Sequence, residues 1–385
     1  MTEQADLILP NQRAAFGIPR DVVWMNAAQM SVLHRDVEAA GQIGLKRKAA
    51  PWNSPPVSFF TEVEEARSLF ADLIGASGED IAVCPSASYG IAAAARNMSV
   101  GTGQNIIVFE TQFPSNVYIW RRIAAETGAE IITVARDSEG GLTDPICAAI
   151  NAQTAVVAIG MVHWADGTKI DLVSVSQRAK EVGAALVLDG CQYFGGCPFD
   201  VAEVDPDFIA APMYKWLLGP YATGFLYVAP RHHHGRPLEE TWMNRKDAAN
   251  FAALVEYTDA YAPGARRFDM GEKSNFALMP MVVAALKLLR DWRVERIAAT
   301  LDALNQNLLD ELGARGFTLP PEHLRSPHYF GVELPANAPA DLAQRMAAEQ
   351  IYVSVRGPKM RIAPHLWIDE EDFARFLAAV DRHLD

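Results

Sequence analysis

Cysteine is scarce in this chain of 385 residues. The four present, Cys84, Cys147, Cys191 and Cys197, are too few and too scattered for a disulfide framework, so a reducing cytoplasm is the expected compartment. Long apolar runs are also missing. No window holds the roughly 18 uninterrupted apolar residues that a membrane span needs. The opening MTEQADLILPNQ has no basic stretch ahead of an apolar core, so no signal peptide is expected. Positive charge is in deficit, 34 Lys and Arg against 47 Asp and Glu, a net −13 that favours solubility and argues against a nucleic-acid surface. The one basic cluster, Lys46 to Lys48, is short and reads as a solvated helix face. Familiar cofactor motifs are absent as well. GTGQNI at 101–106 lacks the third glycine of a dinucleotide fingerprint, and no glycine-rich loop ends in GK[ST]. There is no HExxH, CxxC or G-x-S-x-G. The histidines at 232–234 are adjacent and cannot all face one metal without special backbone geometry, so no metal site is expected.

What is present is core material, with half of the residues hydrophobic. Between about 60 and 230, helical and strand-like patterns alternate. TEVEEARSLFADLIGA has helical period, with Thr61 and Glu64 at capping-box spacing. Seven short β-rich runs follow: IAVC (81–84), NIIVF (105–109), EIITV (130–134), TAVVAIGMV (154–162), AALVLD (184–189), DFIAA (207–211) and GFLYVA (224–229). Nearly continuous apolar strands separated by helices predict an α/β fold, a mostly parallel sheet covered on both faces. In such sheets, ligands bind beyond the carboxyl ends of the strands. After about 255 the pattern changes to helices interleaved with short strands such as HYFGVEL and IYVSV. The expected division is an arm at 1–40 that belongs to the small domain and the substrate pocket, a large domain at 41–255, and a smaller α+β domain at 256–385.

Four features fall at expected strand ends. SASYG follows IAVC and precedes a helical run, and a turn of small residues at a helix N-terminus suits a phosphate. Asp189 ends the strand AALVLD, where its carboxylate either caps the chain or enters the crevice. His163, after TAVVAIGMV, is either a satisfied core histidine or a ligand. Lys215 sits in APMYKWLLGP among large apolar residues, where burial would depress its pKa and leave a nucleophilic amine. A phosphate cradle, a strand-end carboxylate and a buried lysine together are what pyridoxal phosphate requires. The lysine forms the Schiff base and the carboxylate keeps the pyridine nitrogen protonated.

With LDGCQ followed by YKWLLGPYATGFLYV, Asp189 and Lys215 standing 26 residues apart, the chain resembles the class V aminotransferase superfamily. This is a branch of the fold-type I pyridoxal-phosphate enzymes that includes cysteine desulfurases, kynureninase and isopenicillin N epimerase. The resemblance runs from VWMNAAQM to MRIAPHLW. It implies catalytic roles for Lys215, Asp189 and His163, the last near the cofactor's phenolic oxygen. It places Gln192 beside the ring, Ala87 and Ser88 at the phosphate, Tyr214 against the phosphate, and Asn116 in the same loop as Phe113. Phe113 in QFPSN either stacks on the ring or packs in the core. RRFDMGEKSNF resembles a segment that crosses to a partner subunit's site, so Ser274 and Asn275, with Trp242 from the same side, are expected at the cofactor. Arg361 matches the arginine for the substrate α-carboxylate and Asn26 a pocket-lining position. A shared site implies a homodimer.

Departures from the pattern bear on the reaction. Cysteine desulfurases carry sulfur on a cysteine in the C-terminal part, whereas the last cysteine here is Cys197, so a persulfide relay is not expected. Cys191 reads as a small packed residue rather than a nucleophile. Trp242 is followed by MNRK rather than the Gly-His expected of kynureninase, and HLWID replaces the frequent H-x-Y-N. The expected substrate is an α-amino acid. The expected reaction is cleavage or elimination at the β-carbon, with transamination, epimerisation or racemisation as the alternatives.

Overall fold

The computed structural model describes residues 7–384. Residues 1–6, part of the opening on which the signal-peptide expectation rests, and residue 385 lie outside them. An arm carrying strand β1 (Val23–Trp24) leads into helices α1 (Arg35–Ala49) and α2 (Thr61–Ile74). Strand and helix then alternate: β2 (Ile81–Cys84), α3 (Ala87–Arg96), β3 (Asn105–Phe109), α4 (Tyr118–Thr127), β4 (Glu130–Val134), α5 (Thr143–Ala149), β5 (Thr154–Gly160), α6 (Leu172–Val182), β6 (Ala185–Asp189), α7 (Val201–Val204), β7 (Phe208–Pro212) and β8 (Gly224–Val228). All seven β-rich runs join one sheet, in the order β2-β8-β7-β6-β5-β3-β4. Its pairs are parallel except where β8 lies antiparallel between β2 and β7.

Period two divides each strand between two cores. Ile106, Val108, Val156, Ala158, Val187, Phe208 and Ala210 face a smaller cluster with α3 and Trp120. Their neighbours Ile107, Phe109, Val157, Ile159, Leu186, Leu188 and Ile209 face a larger one that continues into the C-terminal part. Both faces are therefore covered, which is why these strands read as apolar runs rather than as alternation. β4, at the edge, stays partly exposed. Gly90 decides how closely α3 lies on the sheet. A Cβ there would meet the Ala210 Cβ at 2.8 Å and Leu226 at 3.4 Å.

The capping box expected at the start of α2 does not form. The Thr61 hydroxyl donates to the Val57 carbonyl at 3.0 Å, and the Glu64 carboxylate turns away to Arg266 at 2.6 Å. The 3-10 turn over Pro56–Phe59 puts that carbonyl beneath Thr61 and so takes the hydroxyl first.

The rest of the chain holds α8 (Met279–Trp292), α9 (Val294–Ala314), β9 (Phe330–Glu333), α10 (Leu342–Ala348), β10 (Ile351–Tyr352), β11 (Ser354–Arg356), β12 (Lys359–Ile362) and α11 (Glu370–Leu384). β11-β12-β9 form an antiparallel sheet, and β10 pairs in parallel with β1 of the arm. The arm is fastened there by further bonds. Gln12 N donates to Leu366 O at 2.8 Å, Ala27 N to Ala363 O at 2.9 Å, and Arg13 and Arg20 reach Asp372 and Asp369. α8 packs against α1 and α2, and Met270 N donates to Val83 O, so the chain from about 264 to 292 lies on the large layer. Among the described residues, no helix is long and apolar enough to cross a membrane.

Candidate active site

Five parallel strands end on one side of the sheet, and β6 lies among them between β5 and β7. Gly160 at the end of β5 pairs with Asp189 at the end of β6, and Asp189 pairs with Ala210 of β7. Lys215 follows β7 by three residues, in a turn closed by Leu218 N to Lys215 O at 3.0 Å and Gly219 N to Met213 O at 2.8 Å. Leu218 takes a left-handed φ of 56°, a strained backbone for a branched residue. Packing holds it there. Trp216, buried, donates to Gln192 Oε1 at 2.8 Å and stacks on Tyr329 with centroids 5.7 Å apart. Trp216 therefore points into the core and Lys215 into the crevice.

Lys215 is 7% exposed, and its Nζ lies 5.7 Å from the Phe113 ring centroid and 5.5 Å from that of Tyr214. Burial lowers its pKa, against the raising effect of Cys191 and Asp189. Asp189, Cys191, Gln192 and Phe113 line the same cavity. Asp189 Oδ1 accepts from Cys191 N at 2.9 Å, which fixes the carboxylate at the strand end. Burial, followed by the charge of Asp189, pushes the Cys191 thiol far above its ordinary pKa, which disfavours the thiolate. The Gln192 amide is engaged at both ends, since it also donates to Ala28 O at 2.8 Å. It thereby ties the arm to the strand end.

Arg361 is the second buried cation. It is 2% exposed, donates to Trp164 O at 2.9 Å and to Asn26 Oδ1 at 3.4 Å, and its Nε has no partner. Burial lowers its pKa to about 10. Asn26 is itself oriented by Ser354 Oγ at 2.9 Å and Gln29 at 2.7 Å. No carboxylate lies within 4.0 Å of Lys215 or Arg361 among the described residues.

His163 is held at both ring nitrogens, by Asp166 at 2.9 Å on Nδ1 and by the Thr111 hydroxyl at 3.0 Å on Nε2. Burial works to raise the Asp166 pKa, but His163, Arg136 and Lys359 outweigh it and hold the carboxyl well below its usual range. Asn116 does not line that cavity; its Oδ1 accepts from Trp120 at 2.9 Å, and its buried Nδ2 has no partner among the described residues. Gln112 lines the cavity instead, bonded to Asn116 O at 2.6 Å and Ala158 O at 3.0 Å. Trp164 lines it too, edge-on to Phe113 with centroids 5.4 Å apart. Sequence reasoning missed both Gln112 and Trp164. Their adjacency to Phe113 and His163 was the available signal.

At the start of α3, the Ser86 hydroxyl accepts from Tyr89 N at 3.2 Å, and Gly90 N bonds Ser86 O. The N–H groups of Ala87 and Ser88 are left without intrahelical partners at the positive end of a ten-residue helix. Burial pushes the Tyr214 hydroxyl pKa up, and its carbonyl accepts from Ser31 N at 3.0 Å. Trp242, Ser274 and Asn275 do not line the Lys215 cavity of their own chain. Trp242 packs on Phe251 with centroids 5.5 Å apart, Ser274 is buried, and Asn275 accepts from Leu278 N at 3.1 Å in the turn ahead of α8. His232 and His233 turn to different carboxylates, Asp207 at 2.6 Å and Asp80 at 3.2 Å. A groove of about 940 Å³ beside Leu304 and Phe373 is lined by Asp310, Glu311, Glu370 and Glu371. Its charge repels an amino-acid carboxylate, so size does not mark the site.

The residues at the strand ends suit pyridoxal 5'-phosphate. An unpaired lysine of lowered pKa stands for the aldehyde, a fixed carboxylate for the pyridine nitrogen, an aromatic face for the ring and free helix N–H groups for the phosphate. The chain is similar to an uncharacterized aminotransferase of Bacillus subtilis, 25% identical over 81% of each chain. It is also similar to a kynureninase of Deinococcus radiodurans, 27% identical over 72% of this chain and 68% of that one. In fold it matches a cysteine desulfurase of Thermococcus onnurineus with a TM-score of 0.83, at 20% identity and 96% coverage of both. The class-V aminotransferase model matches residues 53–377, and with the cofactor set just described the chain belongs to that pyridoxal-phosphate family.

Proposed function

We propose that the protein acts on an α-amino acid and cleaves or eliminates at its β-carbon, without a persulfide cysteine. The observation that carries the substrate class is Arg361, a buried guanidinium with a free Nε and no carboxylate within 4.0 Å. A planar cation of this kind receives an α-carboxylate through two parallel hydrogen bonds. Asn26 and the Trp164 carbonyl hold it ready. Lys215 Nζ, neutral at lower pH than an exposed lysine, holds the cofactor aldehyde and then takes and returns the proton at the substrate Cα. Asp189 keeps a negative charge at the ring nitrogen, while Gln192, Phe113 and Tyr214 wall the ring. Ala87 and Ser88 hold the phosphate, and His163, braced by Asp166 and Thr111, stands at the ring's edge. Bound there, the cofactor supplies a sink for the electron pair released when a bond to Cα breaks.

Elimination or cleavage is favoured by the kynureninase similarity, and the absence of any cysteine after Cys197 argues against a persulfide relay. Transamination is the second reading, and the Bacillus subtilis aminotransferase supports it by matching more of both chains than the kynureninase does. Holoenzyme incubated with single amino acids separates them. Ammonia and a 2-oxo acid appearing together mark elimination. Transfer of the amino group to an added 2-oxo acid marks transamination, and Cα deuterium exchange without net product marks epimerisation or racemisation. A protein that stays colourless with added pyridoxal phosphate overturns the whole assignment.

The site is completed, in this reading, by a second copy of the chain that brings Trp242, Ser274 and Asn275. Trp52 (81% exposed), Val255 (79%) and Tyr257 (96%) are the apolar surface that such a dimer would cover. Light scattering that finds a monomer under conditions of full activity would remove this part.

A further inference from the structure

The hairpin of β11 and β12 pairs Ser354 with Arg361 and Arg356 with Lys359. Directly paired residues of an antiparallel ladder project to the same side, so all four belong to one face. Three of them are cations. Lys359 is neutralised by Asp166 at 2.8 Å, a carboxylate that Arg136 shares at 3.0 Å. Arg361 awaits the α-carboxylate. Arg356 is the third, and its guanidinium carbon lies 6.0 Å from the centroid of the Trp164 ring. Its hydrogen bond is to the Val355 carbonyl at 2.8 Å, and no carboxylate approaches it within 4.0 Å among the described residues. Trp164 thus carries one arginine on its ring and another on its carbonyl, and it lines the cavity that holds Lys215.

An α-carboxylate accounts for one of these two unpaired charges. We infer that Arg356 is a specificity-determining residue that receives an anionic group on the substrate side chain, so the substrate is an amino acid with an acidic side chain. Rim screening limits what a half-buried arginine adds, but a planar guanidinium braced on an aromatic ring still selects an oxyanion by geometry. Carboxylate and sulfinate share the required chemistry. This inference rests on the α-amino-acid reading of the site.

The test uses holoenzyme and two unreactive anions, succinate with two carboxylates and butyrate with one, followed by Trp fluorescence and by the visible band. Succinate is expected to bind at least tenfold more tightly than butyrate. Arg356→Gln should erase that ratio and leave butyrate binding as it was, Arg356→Lys should keep part of it, and Arg361→Gln should weaken both anions. Turnover of aspartate against asparagine, and of cysteine sulfinate against alanine, then tells the carboxylate from the sulfinate source. A wild-type ratio near one, or equal weakening of both anions in Arg356→Gln, overturns the inference. Should Arg356→Gln not fold, a reduced ratio in Arg356→Lys still supports a planar contact, and an unchanged ratio sinks it. Turnover confined to neutral side chains removes this inference alone. Failure of every amino acid to perturb the visible band removes the α-amino-acid reading with it.

Discussion

Two of the places where this protein buries cations are finished differently. Around Asp269, which is 1% exposed, everything is paired. Arg67 donates at 2.9 Å, Lys273 at 2.6 Å and Val83 N at 2.7 Å. Burial acts to raise the Asp269 pKa, but Arg67 and Lys273 outweigh it and lower the value. Lys273 is further held by Met243 O and Asn244 Oδ1, each at 3.2 Å. Lys215 after β7 and Arg361 within β12 are also buried, 7% and 2% exposed, with no carboxylate within 4.0 Å among the described residues, and the Arg361 Nε bonds nothing. A buried charge without a partner is costly, so a fold keeps one where something else completes it. The saturated cluster locks the chain after Phe268 onto β2. In the proposed function, the unsaturated one is reserved for cofactor and substrate.

The sharpest way to break this contrast is to remove one member of each. Lys215→Ala should abolish the visible absorbance of the holoprotein and reduce turnover by roughly four orders of magnitude, about 5 kcal/mol of transition-state stabilisation, with little change in unfolding midpoint. Asp269→Ala should do the reverse. It strands Arg67 and Lys273 without their anion and destabilises by roughly 3–5 kcal/mol in urea unfolding, while folded molecules still take up the cofactor.

Acid should separate the regions next. His328 and His365 lie beside Trp216 and are fully buried. Burial lowers their pKa values to about 4 and about 3. Folded values below the ordinary 6.5 mean that their contribution is whole above pH 6.5 and fades as pH falls toward 4, roughly 3 kcal/mol for His328. The Asp269 carboxyl is also depressed from 3.8, so its contribution is whole above that value and fades only at lower pH. Trp fluorescence should therefore report loosening around Trp216 at a pH where protection of the β2 amides is still intact. The smallest effect is expected from Arg361→Gln, a drop in kcat/KM of roughly tenfold to a hundredfold, about 1.5–3 kcal/mol. Its melting temperature should hold or rise, because the residue removed is an unpaired charge.

Much of the fold was legible because the strands are short, apolar and evenly separated by helices. All seven β-rich runs became strands of one sheet. The boundary read at 255 marks a change of pattern, but α8 has the same amphipathic look whichever layer it joins, and packing put it on α1 and α2. Lys215 and Asp189 could be found because chain order ties each to a strand end. Gln112 and Asn116 could not be told apart. Both are polar residues of one loop, and only the fold shows that Trp120 claims Asn116 while Gln112 faces the cavity. Thr61 was misread for a similar reason, since a preceding turn offered its hydroxyl a nearer acceptor.

Taken by itself, then, the chain determined its layers and the identities of its reactive groups, because apolar periodicity and residue chemistry are local properties. Which cations go unpaired is not local. The nearest potential partners of Arg361 lie in the arm and after β5, more than 190 residues away in sequence, and only the packed structure shows that none of them is an acid.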